Sequence, residues 1–123
     1  MADPEPPPFL SLRIRFGEKA MLGPGKAALM ERIAATGSIA AAARDMGMSY
    51  KRAWMLTETL NAMFDQPLVE SARGGPGKGG AVLSDRGRAV LAEYRTVERV
   101  AAEGAQASLA ALQSWRRLPD GGV

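Results

Sequence analysis

The spacing of hydrophobic positions changes several times along the chain, and each change predicts an element. In "FLSLRIRF", Phe9 to Phe16, the apolar Leu10, Leu12, Ile14 and Phe16 alternate with Ser11, Arg13 and Arg15. A period of two predicts a half-buried strand whose arginines face solvent or a partner. "GPGKAALMERIAATG" predicts a helix that opens at Pro24, whose missing N–H needs no partner there, and closes at Gly37. Its buried stripe is Ile33 with Ala28 or Leu29. In "SIAAAARDMG", Ser38 is a ready cap and Gly47 a ready stop, with room for about two turns between them. "MSYKRAWMLTETLNAMF" then predicts a helix capped by Ser49. Ala53, Leu56, Leu60 and Phe64 form its apolar face, with Thr57 and Met63 at the margins. After Pro67, "LVESA" and "AVLS" read as two short strands. The last stretch predicts a long helix capped by Ser84, weakened at Gly104 and running to about Gln113.

Two helices joined by "MGMS" have the pattern of a helix-turn-helix. The first is short and small-sided, so that the second can cross it closely, and glycine suits the left-handed turn between them. The second helix shows Tyr50, Lys51 and Arg52 before its apolar face begins, as a helix does when it presents its first turn to the major groove. The two short strands that follow enclose "ARGGPGKGGAVLS", with five glycines and the cations Arg73 and Lys78. A helix-turn-helix followed by such a hairpin predicts a winged helix, and this loop is its wing. Glycines let the wing backbone approach a phosphate closely while the two cations supply charge. The loop does not fit a nucleotide-binding P-loop. Ala72 stands where the first glycine belongs, and Gly79 follows Lys78 where a magnesium-binding hydroxyl is needed.

Composition narrows the function classes. The 123 residues suit a single domain with a modest core. The chain has no cysteine and no histidine, which removes the usual zinc ligand sets and histidine-based catalysis. The expectation is therefore a protein that is not an enzyme, with no cofactor and no metal. Thirteen Lys/Arg stand against eight Asp/Glu from Phe9 to Arg95, a surplus of five, so the positive charge sits on the central body. That surplus leans toward a polyanionic partner. No apolar run approaches a membrane span and no secretory signal is visible, which predicts a cytoplasmic protein without a membrane partner.

Taken together, "ATGSIAAAARDMGMSYKRAWMLTETLN" and "LVESARGGPGKGGAVLSDRGRAVL" resemble the amino-terminal winged-helix domain of ModE-type molybdate-responsive transcriptional regulators. That domain is itself similar to the DNA-binding domain of LysR-type regulators. The resemblance runs from about Leu12 to Val100. It rests on "GSI" at Gly37 to Ile39, the "SYK-A-W" run at Ser49 to Trp54 and "GG-GKGGAVLS--G" at Gly74 to Gly87. It implies a bacterial DNA-binding repressor or activator that works as a homodimer. In the family a separate carboxy-terminal domain binds molybdate. The expectation here is a chain with no molybdate domain of its own and no recognisable molybdate site.

The expected fold is thus mainly α with a small β-hairpin: a winged helix-turn-helix with a long carboxy-terminal dimerisation helix. Residues 1–8 are expected to be a disordered proline-rich lead-in, 9–95 the DNA-binding domain, 84–115 the dimerisation helix and 116–123 a flexible tail. Double-stranded DNA is the expected partner. Tyr50, Lys51 and Arg52 are the expected groove contacts, since lysine or arginine can pair with guanine and tyrosine can meet a phosphate or a thymine methyl. Ser38 and Ser49 can each donate to a phosphate or act as helix caps. Trp54, one turn after Tyr50, either flanks the DNA or fills a gap beside the preceding helix. Arg73 and Lys78 are the expected backbone contacts of the wing. Val90, Tyr94, Val97, Ala101, Ala105, Ser108, Leu112 and Trp115 recur at spacings of three and four, a seam for a second copy. Competing readings are a winged-helix protein-interaction module and a small-oxyanion sensor.

Overall fold

The computed structural model describes residues 5–73 and 79–117. The chain opens with an antiparallel ribbon, β1 (Ile14–Phe16) and β2 (Ala20–Leu22), paired from Ile14↔Leu22 to Phe16↔Ala20. Gly17, at φ 72°, makes the left-handed turn between them. The predicted alternation holds as far as Arg15, with Leu10, Leu12 and Ile14 half-buried and Ser11, Arg13 and Arg15 exposed, but Phe16, expected on the buried side, is exposed and meets Phe64 edge to face. Only the last three residues of that stretch pair, and β2 was not marked by the pattern. Its three residues, Ala20, Met21 and Leu22, do not alternate.

Helix α1 (Pro24–Thr36) has proline at its start and Gly37, at φ 72°, at its end, where the Gly37 N–H donates to the Ile33 carbonyl. Helix α2 (Ile39–Asp45) is capped by Ser38, whose Oγ accepts from the Ala41 N–H at 3.0 Å. Gly47, at φ 67°, turns the chain into α3 (Tyr50–Met63), capped by Ser49 through the Arg52 N–H at 3.1 Å. The hairpin β3 (Val69–Arg73) and β4 (Gly79–Leu83) pairs Val69 with Leu83 and Arg73 with Gly79. Both strands reach further toward the loop than the pattern predicted, because Gly79 and Gly80 join the ladder. Helix α4 (Asp85–Gly104) begins at the Ser84 cap. The long helix expected from the sequence is interrupted at Ala105, and α5 (Gln106–Ser114) follows. The weak point anticipated at Gly104 lies at this junction.

The core is built where α1, α2 and α3 meet the hairpin. Leu29, Met30, Ile33, Leu60 and Leu68 are fully enclosed, and Ala27, Ala42, Ala43 and Ala53 allow close helix approach. Thr57, expected at the margin, is buried, and its hydroxyl donates to the Ala53 carbonyl at 2.8 Å. Gly87 packs tightly under the hairpin: a Cβ there would lie 2.1 Å from the Leu68 carbonyl oxygen. No helix among the described residues is long and apolar enough to cross a membrane.

The Glu5 carboxylate accepts from Gln113 at 2.9 Å and pairs with Arg116, and these hydrogen bonds hold its pKa below the usual carboxylate value.

Candidate nucleic-acid interface

Three features position the recognition elements on one another. The Gly37 carbonyl accepts from the Ala81 N–H at 2.9 Å, which ties the entrance of α2 to the wing strand β4. Asn61, on the flank of α3, clasps the start of the hairpin. Its Oδ1 accepts from the Leu68 and Val69 N–H groups at 2.9 Å each, and its Nδ2 donates to the Val69 carbonyl at 3.2 Å. Ser84 closes the other end, its Oγ donating to the Pro67 carbonyl at 2.7 Å and accepting from the Gly87 N–H. The helix-turn-helix and the wing are thereby one piece. Nothing in the sequence marked Asn61, because its partners lie seven and eight residues on, beyond a loop.

Tyr50, Lys51 and Arg52 occupy the first turn of α3 and are all exposed, Tyr50 by 55%. Both candidate serines act as caps, which leaves each hydroxyl proton free to be donated elsewhere. Trp54 is 46% exposed, so it is not the core residue that one reading allowed. Sequence reasoning passed over Met55 and Glu58, which share the solvent side of α3. The available signal was that neither fits the stripe of Ala53, Leu56 and Leu60. Of the expected wing contacts, Lys78 lies outside the described residues, and Arg73 is described only as the last backbone position of β3.

The ion pairs separate the cations into two groups. Arg32, Arg86, Arg88, Arg95, Arg99 and Arg116 each meet a carboxylate. Among the described residues Arg13, Arg15 and Lys19 on the ribbon, Lys26 on α1, Arg44 on α2, Lys51 and Arg52 on α3, and Arg117 meet none. The uncompensated charge of the helix-turn-helix therefore gathers at its exposed turn, where the amino-terminal dipole of α3 adds to it. Among the described residues no cluster of His, Cys, Asp or Glu suits a metal ion.

The expected dimer seam divides. Val97 and Leu112 are exposed, as is Trp115 beyond them, while Val90, Ala101 and Ala105 are half-buried. Tyr94 must be withdrawn from the seam. It is only 1% exposed, with its ring inside its own domain and its hydroxyl donating to the Leu12 carbonyl at 2.7 Å. Beside it Ile14, Phe16, Phe64, Val90 and Val97 line an open apolar groove of 280 Å³.

This chain is 40% identical over 94 residues to the molybdenum-pterin-binding protein MopA of Rhodobacter capsulatus, covering 76% of this chain and 36% of MopA. It is 36% identical over 89 residues to the DNA-binding transcriptional dual regulator ModE of Escherichia coli K12, covering 72% of this chain and 34% of ModE. The chain thus spans little more than one third of these relatives' own lengths. Among solved structures, a complex of CbnR_DBD with DNA matches with a TM-score of 0.55 and 25% identity, over 72% of this chain and 95% of that one. No family model matches. Over the stretch they share, the chain is a homologue of the ModE-type transcriptional regulators and has the winged helix-turn-helix fold of a LysR-type DNA-binding domain.

Proposed function

We propose that this chain binds duplex DNA sequence-specifically in transcriptional regulation, with α3 in the major groove and the wing along the backbone. The observation that carries this reading is the uncompensated first turn of α3, where Tyr50, Lys51 and Arg52 stand exposed. Two neighbouring cations in the first turn of a helix can reach base edges, and lysine or arginine there can pair with guanine O6 and N7. Arg44 and the hydroxyls of Ser38 and Ser49 are placed to meet flanking phosphates, which set register without reading sequence.

The homologues and the neighbour in complex with DNA support this reading. In it the protein is cytoplasmic and acts as a homodimer on an inverted repeat, its subunits joined through the exposed parts of α4 and α5. The test begins with selection of a preferred duplex from a random pool. Lys51→Ala and Arg52→Ala are then measured on that duplex and on an unrelated one. Loss of a bidentate base contact should cost about 1–3 kcal/mol on the selected duplex and much less on the other. Equal losses on both would reduce the two residues to phosphate contacts.

A further inference from the structure

Past its first turn, the solvent side of α3 becomes apolar. Met55 is 53% exposed. It follows Lys51 by four residues, so the two side chains stand one turn apart on the same face, away from the buried Ala53, Thr57 and Leu60. Met55 and Leu56 floor a shallow depression of 260 Å³ rimmed by Ser49, Lys51, Arg52 and Thr59. A thioether half in water beside two cations that meet no carboxylate gains little from its own fold. Covering it removes apolar area from water, and its flexible chain adapts to a small apolar group.

The cations decide what kind of partner covers it. Lys51 and Arg52 attract a polyanion, and the apolar group that duplex DNA offers on its major-groove edge is the 5-methyl of thymine. We propose that Met55 is a specificity-determining residue that seats a thymine methyl beside the bases met by Lys51 and Arg52. This rests on the reading of α3 as the groove-facing helix. The contact carries sequence information without a hydrogen bond, because only thymine presents a methyl there. Cytosine at the same place presents an amino donor and no methyl.

The test uses the full chain and the duplex obtained by selection. Each thymine is replaced in turn by deoxyuridine, which removes the methyl and leaves every hydrogen-bonding group. The wild-type protein should lose about fourfold in affinity at one or more of these positions, the effect of one methyl group returned to water. Met55→Ala should bind the thymine duplex about fourfold more weakly and show no further loss with deoxyuridine, whereas Met55→Leu should stay sensitive. Met55 is neither in the core nor among the side chains packed against it, so neither variant opens a core cavity. A wild type indifferent to deoxyuridine at every thymine overturns the assignment, as does a Met55→Ala protein that keeps the full sensitivity. Those two results leave the groove-facing role of α3 standing. Failure to select any preferred duplex overturns that role and the Met55 assignment with it.

Discussion

Tyr94 falls on the apolar stripe of the terminal helix, yet its ring turns inward and its hydroxyl reaches back to the Leu12 carbonyl. Periodicity finds the stripe but cannot say which partner covers it, because the extended segment before β1 lies 82 residues earlier. Burial pushes the Tyr94 pKa above its usual value of 10.0, with the Glu98 carboxylate adding to the effect. A raised acid pKa means that the folded state holds the proton more tightly than the unfolded chain. The stabilisation is therefore complete below the unfolded value and is lost as pH rises through the folded one. Tyr94→Phe should cost about 1 kcal/mol at neutral pH for the lost hydrogen bond. It should also flatten the fall in stability that the wild type shows above about pH 10. Urea melts of both proteins at neutral and alkaline pH measure this, and parallel pH profiles would contradict it. By contrast, the exposed turn at Tyr50, Lys51 and Arg52 was legible in the sequence. A serine cap fixes where a helix starts, and the apolar stripe begins only after these residues.

At the level of elements, the helix-turn-helix and the wing were readable because each is set by local chemistry: caps at Ser38, Ser49 and Ser84, and left-handed glycines at Gly37 and Gly47. Strand β2 and the interruption at Ala105 were less so. The first depends on pairing with β1, and the second separates two stretches that share one apolar spacing. Helix α5 has no buried residue, and Leu112 and Trp115 near its end are exposed by 57% and 77%. An element that stabilises so little of its own domain can be removed without unfolding it. Ending the chain after Arg95 keeps Tyr94, the three core helices and the hairpin. The shortened protein should stay folded, sediment as a monomer or a weaker dimer, and lose most affinity for the two-fold duplex. Retention of both dimeric mass and full affinity would show that α5 and the end of α4 are not the clamp.

For the molecule as a whole, the distribution of charge carries more meaning than the net +3. Arginines on α4 are held by carboxylates of this chain, while Arg44 and Arg52 of the helix-turn-helix, like Arg13 and Arg15 of the ribbon, meet none among the described residues. One recognition helix reads only a few base pairs, so the proposed homodimer doubles the information and calls for half-sites about one DNA turn apart or a small multiple of it. The central claim is that this surface meets the phosphates and base edges of duplex DNA, and the salt dependence of binding tests it most directly. Affinity for the selected and an unrelated duplex is to be titrated by fluorescence polarisation at about 50 and about 200 mM salt. The account predicts a steep linear fall of log affinity with log salt on both duplexes, as condensed counterions are released. It further predicts that the selected duplex stays the tighter at either concentration. Binding that ignores salt, or that never distinguishes the two duplexes, would contradict it.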